Sequence, residues 1–156
     1  MKTEYAQKMM FHGILVFMIG LITGFFLYSG LMRNPQIGVI THLEGVLNGM
    51  FLVILGLIWH RMKMTDKLQK RFVMIAIACV YINYFQALWG AVLGRSRATT
   101  LFPADRVPFP AETFILNVFL LSMSFGLIWC CIMVMIGLKR GLAGVQKAAL
   151  ARPETV

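Results

Sequence analysis

The sequence predicts an all-α integral membrane protein, a bundle of four transmembrane helices. Three observations carry this reading. Of 156 residues, 59% are hydrophobic and 13% charged, about half the charged share of ~25% usual in soluble domains. Asp, Glu, Lys and Arg are absent from four stretches, 9–32, 39–60, 72–94 and 113–138, with Glu44 as the one exception. Each stretch holds at least the roughly 20 apolar residues needed to cross ~30 Å of hydrocarbon. In lipid the backbone has to satisfy its own hydrogen bonds, so such runs are helices. This composition excludes a disordered chain. It also excludes a disulfide scaffold, because two of the three cysteines are adjacent in an apolar run.

The first stretch is too long for the apolar region of a signal peptide, and no small-residue cleavage site follows it. It is therefore read as retained. The second stretch carries His42, Glu44, Asn48 and His60, and the third Asn83, Gln86 and two tyrosines, Tyr81 and Tyr84. Between the third and fourth, the segment 95–112 contains Pro103, Pro108 and Pro110, which predicts an irregular cap over the outer end. The segment 139–156 is short and mixed, and is read as a tail with an interfacial helix. The whole chain, 1–156, forms a single transmembrane domain.

Four spans put both termini and the 61–71 loop on one side. That side carries Lys2, Lys8, Arg61, Lys63, Lys67, Lys70, Arg71, Lys139, Arg140, Lys147 and Arg152, against Arg33, Arg95, Arg97 and Arg106 on the other. The positive-inside bias predicts both termini in the cytoplasm, with the chain in a bacterial inner membrane. The net charge of +9 is thus an orientation signal, helped by anionic lipid. No nucleic-acid partner is expected.

Each helix has a seam of small or polar residues. At 100° per residue, Gly45, Gly49 and Gly56 fall within about 60° of His42. Gly20 and Gly24 in the first helix, Gly45 and Gly49 in the second and Gly90 and Gly94 in the third are small-xxx-small pairs that permit close helix approach. Helix three aligns Cys79, Asn83, Gln86 and Gly90; helix four aligns Asn117, Ser124 and Cys131. Serines such as Ser122 and Ser124 are expected to bond a carbonyl one turn back. Buried Asn48, Asn83, Gln86 and Asn117 cost more and carry more information.

Of the three histidines, His60 lies beside Arg61 and reads as an interface residue. His12 and His42 enter the membrane from opposite faces, so about 20 Å of depth separates them at 1.5 Å per residue. Within one subunit they do not ligate the same haem iron. A single axial histidine with an open sixth position suits binding or chemistry. No Cys-x-x-Cys-His for covalent haem occurs, nor do zinc-cluster, Gly-x-Ser-x-Gly or phosphate-loop patterns.

The run His42-Leu43-Glu44-Gly45-Val46-Leu47-Asn48-Gly49-Met50 resembles a signature of the styrene oxide isomerase family: histidine, four residues, then Leu-Asn-Gly-Met. His12-Gly13-Ile14-Leu15 after Lys8-Met9 is similar to that family's opening. The resemblance implies a homotrimeric membrane enzyme with haem b held between neighbouring subunits. Such an enzyme isomerises an apolar aryl epoxide, such as styrene oxide, to an aldehyde without redox turnover. It implies His42 as the axial ligand of ferric haem b, and Asn48 as the polar group that orients the epoxide oxygen. Arg95 and Arg97 are the candidate partners for the haem propionates. The family's helix-three tyrosine falls nearest Ala87 without gaps, so Tyr84, ahead of Tyr81, is taken as its substitute. The chain also departs from the family in having Glu44 where glycine stands two residues after the histidine. Two alternatives remain: a non-catalytic haem protein for electron transfer or gas sensing, and a structural subunit without cofactor in which His42 is packing.

Overall fold

In a computed structural model, residues 2–27, 29–94 and 110–150 are described, and they form four long helices. These are α1 (Lys2–Phe26), α2 (Pro35–Ile58), α3 (Asp66–Leu93) and α4 (Pro110–Leu150), with one 3-10 turn, Trp59–Arg61, after α2. Four spans are long and apolar enough to cross a membrane: Thr3–Phe26, Pro35–Arg61, Asp66–Leu93 and Phe114–Gln146. The all-α four-helix membrane bundle is the observed fold.

The helices outrun the apolar stretches at most ends. α1 begins at Lys2 and stops at Phe26, so residues 29–32 of the first stretch belong to the connection to α2. α2 starts under an Asn34 cap, whose Oδ1 accepts from Ile37 N–H at 3.2 Å, with Pro35 in the first turn, where proline's missing donor costs nothing. Asn34 N–H also donates to the Ala91 carbonyl, 3.0 Å away, which ties the start of α2 to the end of α3. α3 closes on Gly94, whose φ of 69° is the left-handed conformation that favours glycine. Gly94 therefore ends the helix, a role that its spacing from Gly90 does not reveal. α4 starts at Pro110 and has 41 residues, about 60 Å of helix. Part of the expected tail, 139–150, is continuous with it.

α1 and α2 form a tight antiparallel hairpin, built where glycines face glycines. A Cβ on Gly20 would stand 2.7 Å from the Gly45 carbonyl carbon, and one on Gly13 2.7 Å from the Gly49 carbonyl oxygen. α3 packs on this hairpin, and α4 packs on α3. The main core gathers Met9, Val16, Leu52, Leu55, Trp59, Phe72, Val73, Ala76, Val80 and Cys130. A second, smaller core joins Met32, Ile37 and Ala91 at the other end. The start of α1, the α2–α3 connection and the later half of α4 share one end: Tyr5 meets Trp59 edge-on, and Lys63 N–H donates to the Gly137 carbonyl. α4 is the least enclosed helix, with Phe114 and Phe125 each 70% exposed.

Candidate functional site

His42 is half-buried on the second turn of α2, facing α1. Its Nδ1 lies 2.8 Å from the Gly20 carbonyl oxygen. A carbonyl only accepts, so Nδ1 carries the proton and donates, and Nε2 keeps its lone pair. This is the tautomer a metal-ligating imidazole adopts, with the second nitrogen anchored to the backbone. The anchor exists because α1 turns Gly20 and Gly24 toward the ring: a Cβ on Gly24 would stand 2.9 Å from His42 Nδ1 and 3.1 Å from Cε1. The glycine pair of α1 thus makes the space for the imidazole as well as the helix contact.

Asn48 lies two turns further along α2, and its Nδ2 is enclosed with no hydrogen-bond partner among the described residues. An amide donor without an acceptor in an apolar setting costs about 1–3 kcal/mol.

Tyr84 is 2% exposed. Its hydroxyl lies 2.5 Å from Thr23 Oγ1, and Thr23 Oγ1 itself donates to the Ile19 carbonyl at 2.8 Å. The proton between the two hydroxyls therefore comes from Tyr84. Its ring borders Gly45, where an added Cβ would stand 3.2 Å from Tyr84 Cε2. Tyr81 pairs instead with His12, its hydroxyl 3.1 Å from Nδ1, and stacks on Phe85. Arg95 and Arg97 lie outside the described residues.

The structure agrees with the depth argument for the histidines. Gly24 faces His42, and His12 is twelve residues away on the same helix, about 18 Å along its axis. The third helix's polar seam turns toward α4: Gln86 Nε2 donates to the Leu116 carbonyl at 3.2 Å, and Cys79 lies against Gly126. Ser122 and Ser124 bond the Phe119 and Leu120 carbonyls of their own helix, as expected of hydroxyls in apolar helices. Thr23 is the residue that sequence reasoning missed. Its only signal is its place between Gly20 and Gly24, which became informative once those glycines were seen to face His42.

The donor set fits haem. Among the described residues no three His, Cys, Asp or Glu side chains converge on a point. His42 offers one oriented nitrogen, which is what an iron already held by a porphyrin takes from the protein.

The sequence model of the family described as styrene oxide isomerase matches residues 5–139. Hydroxylaminobenzene mutase HabB of Ectopseudomonas oleovorans is 33% identical over 138 residues, 86% of this chain and 81% of that protein. Hydroxylaminobenzene mutase HabA of the same organism is 37% identical over 83 residues, 51% of this chain and 60% of that protein. Fold and relatives together define the class: a membrane-embedded isomerase, one that rearranges its substrate without adding or removing atoms. The chain belongs to the styrene oxide isomerase family.

Proposed function

We propose that this chain is a haem b-dependent isomerase of apolar aryl substrates, with His42 as the axial ligand. The observation that carries the reading is the His42 imidazole, fixed through Nδ1–H to the Gly20 carbonyl with Nε2 left as an acceptor. When bound, ferric haem b supplies a Lewis acid for a substrate oxygen.

The chain's own residues account for the rest. Asn48 would donate from Nδ2 to the substrate oxygen as negative charge grows there, a stabilisation that is strong where water is excluded. The surrounding apolar helix faces keep water from the electron-poor carbon that appears when the C–O bond opens. With an aryl epoxide such as styrene oxide, the benzylic C–O bond breaks and a hydride moves from the neighbouring carbon. The oxygen keeps its bond to that carbon and becomes the aldehyde carbonyl, a Meinwald rearrangement in which no atom enters or leaves. An epoxide of this kind partitions into the bilayer and reaches the site laterally.

A second substrate class is favoured by the two mutases. An N-aryl hydroxylamine also carries a weak bond to oxygen, and transfer of its hydroxyl from nitrogen to the ring yields an isomeric aminophenol. In either rearrangement Asn48 would be the chain's own donor to the substrate oxygen.

The assembly inferred with this reading is a homotrimer in a bacterial inner membrane, haem lying between neighbouring subunits and both termini in the cytoplasm. The basic residues crowded at the end that carries the α2–α3 connection support that orientation. Arg95 and Arg97 belong to the outer side in this arrangement and are the proposed partners of the propionates.

The test is turnover by purified ferric protein in detergent. Styrene oxide is expected to give phenylacetaldehyde, and phenylhydroxylamine is offered in parallel. Asn48→Ala is expected to retain haem and lose on the order of 10²-fold in turnover. Haem-loaded protein that rearranges neither substrate contradicts the proposed activity.

A further inference from the structure

Tyr84 belongs to α3, yet its hydroxyl bonds a side chain of α1. To get there the ring passes α2 at Gly45. Three helices are therefore pinned at one level, and at that level α1 presents the Gly20 carbonyl to His42. Thr23, which receives the Tyr84 proton, lies one turn from Gly20 and directly before Gly24, which borders the imidazole.

We propose that Tyr84 and Thr23 are positioning residues for His42: their hydrogen bond holds α1 in the rotation that aims the Gly20 carbonyl at His42 Nδ1–H. The proposal rests on the reading of His42 as haem ligand for its functional consequence, though its structural content is independent of haem. Tyr84 does not meet substrate in this arrangement. Its proton is committed to Thr23, because Thr23 spends its own on the Ile19 carbonyl, and the side chain is enclosed on all sides. It acts through the backbone of α1.

The chemistry makes a definite link. The strength of the Nδ1–H bond sets how much electron density the imidazole gives to a metal at Nε2, and losing such a partner costs about 10–100-fold in metal affinity or activity. If Tyr84 no longer holds Thr23, the turn of α1 around Gly20 loses that constraint and shifts on Gly45. The carbonyl then leaves the line of the imidazole. Gly45 is part of the same device, because a Cβ there would press on the Tyr84 ring, 3.2 Å from Cε2.

The experiment uses Tyr84→Phe, Thr23→Val and the double variant of the full chain, which keep the volume of each side chain. Two readouts follow His42 directly. In haem-loaded protein, the iron–histidine stretching band of the ferrous state reports the Nδ1 hydrogen bond. In haem-free protein labelled with ¹⁵N-histidine, only three side chains give signals, and His42→Gln identifies the one in question. Both single variants are expected to shift the His42 signal in the same direction, the double variant by no more than the larger single effect. Turnover falls through kcat, with KM within about twofold of the parent, as expected for a lost interaction that does not contact substrate. A His42 signal unchanged in all three variants overturns the proposal. So does a Tyr84→Phe enzyme that loses turnover while the His42 signal stays in place, which assigns the hydroxyl to the substrate. If the parent protein takes up no haem, the cofactor reading fails by itself and the ¹⁵N measurement still decides the clamp.

Discussion

At the end of the bundle where α1 begins, aromatic side chains pack between the helices; toward the other end, glycines bring α1 and α2 close around His42. Trp59 leans on Phe72, and Phe72 on Trp129, with ring centroids 5.7 and 6.1 Å apart. Toward the far end, Gly20, Gly24 and Gly45 bring α1 and α2 into backbone contact and leave a place for one imidazole. The first region is stabilised by buried area and dispersion. The second has the smaller core of Met32, Ile37 and Ala91, and around His42 gets its geometry from backbone approach and from the Tyr84–Thr23 bond. The aromatic contacts thus lie away from His42, whose Nε2 is left as an acceptor by the Nδ1 bond to the Gly20 carbonyl.

This division is open to direct attack from both sides. Removing the Phe72 side chain, which is fully enclosed, is expected to cost about 3–5 kcal/mol of stability. In detergent unfolding Phe72→Ala lowers the midpoint, yet its haem spectrum and turnover per folded molecule remain those of the parent. A changed spectrum in folded Phe72→Ala would show the two ends to be coupled. At the glycine end the effect on stability is smaller and the effect on the site larger. A Cβ on Gly45 would stand 2.5 Å from Gly20 Cα, and relieving such overpacking costs roughly 1–3 kcal/mol. Gly45→Ala is therefore expected to fold but to lose on the order of tenfold in haem affinity, through the displaced Gly20 carbonyl. Titration with hemin measures this, and affinity equal to the parent's would argue that the glycines serve packing alone.

How much of this was legible in the sequence follows from what each signal measures. Charge-free runs report the thickness of the hydrocarbon, so they gave four spans correctly. They do not report helix length, because a helix continues through Lys2, Glu4, Gln7 and Lys8 at its polar end, or from Gly137 to Leu150, without an apolar requirement. The proline-rich segment before α4 was read as irregular to residue 112, but proline is at home in a first turn, and Pro110 begins the helix. Gly94 shared its spacing with packing glycines, and spacing alone does not separate them from a left-handed cap. The stripe of His42 with Gly45 and Gly49 was readable by rotation. So was the Gly20–Gly24 pair. That the one faces the other is a tertiary fact, and with it came the bond to the Gly20 carbonyl. The side chain of Tyr84 shows the same limit. Its type and helix were plain, while its partner Thr23 lies sixty-one residues away and no local pattern connects them.

His42 as the ligand of haem is the proposal on which the function rests. Visible spectra of the protein purified from haem-replete cells, recorded for the parent chain and for His42→Ala, test this most directly. A Soret band in the parent that is lost in His42→Ala, while the variant still folds and inserts, is the predicted result. A parent without a Soret band, or a band that persists unchanged in His42→Ala, would contradict it.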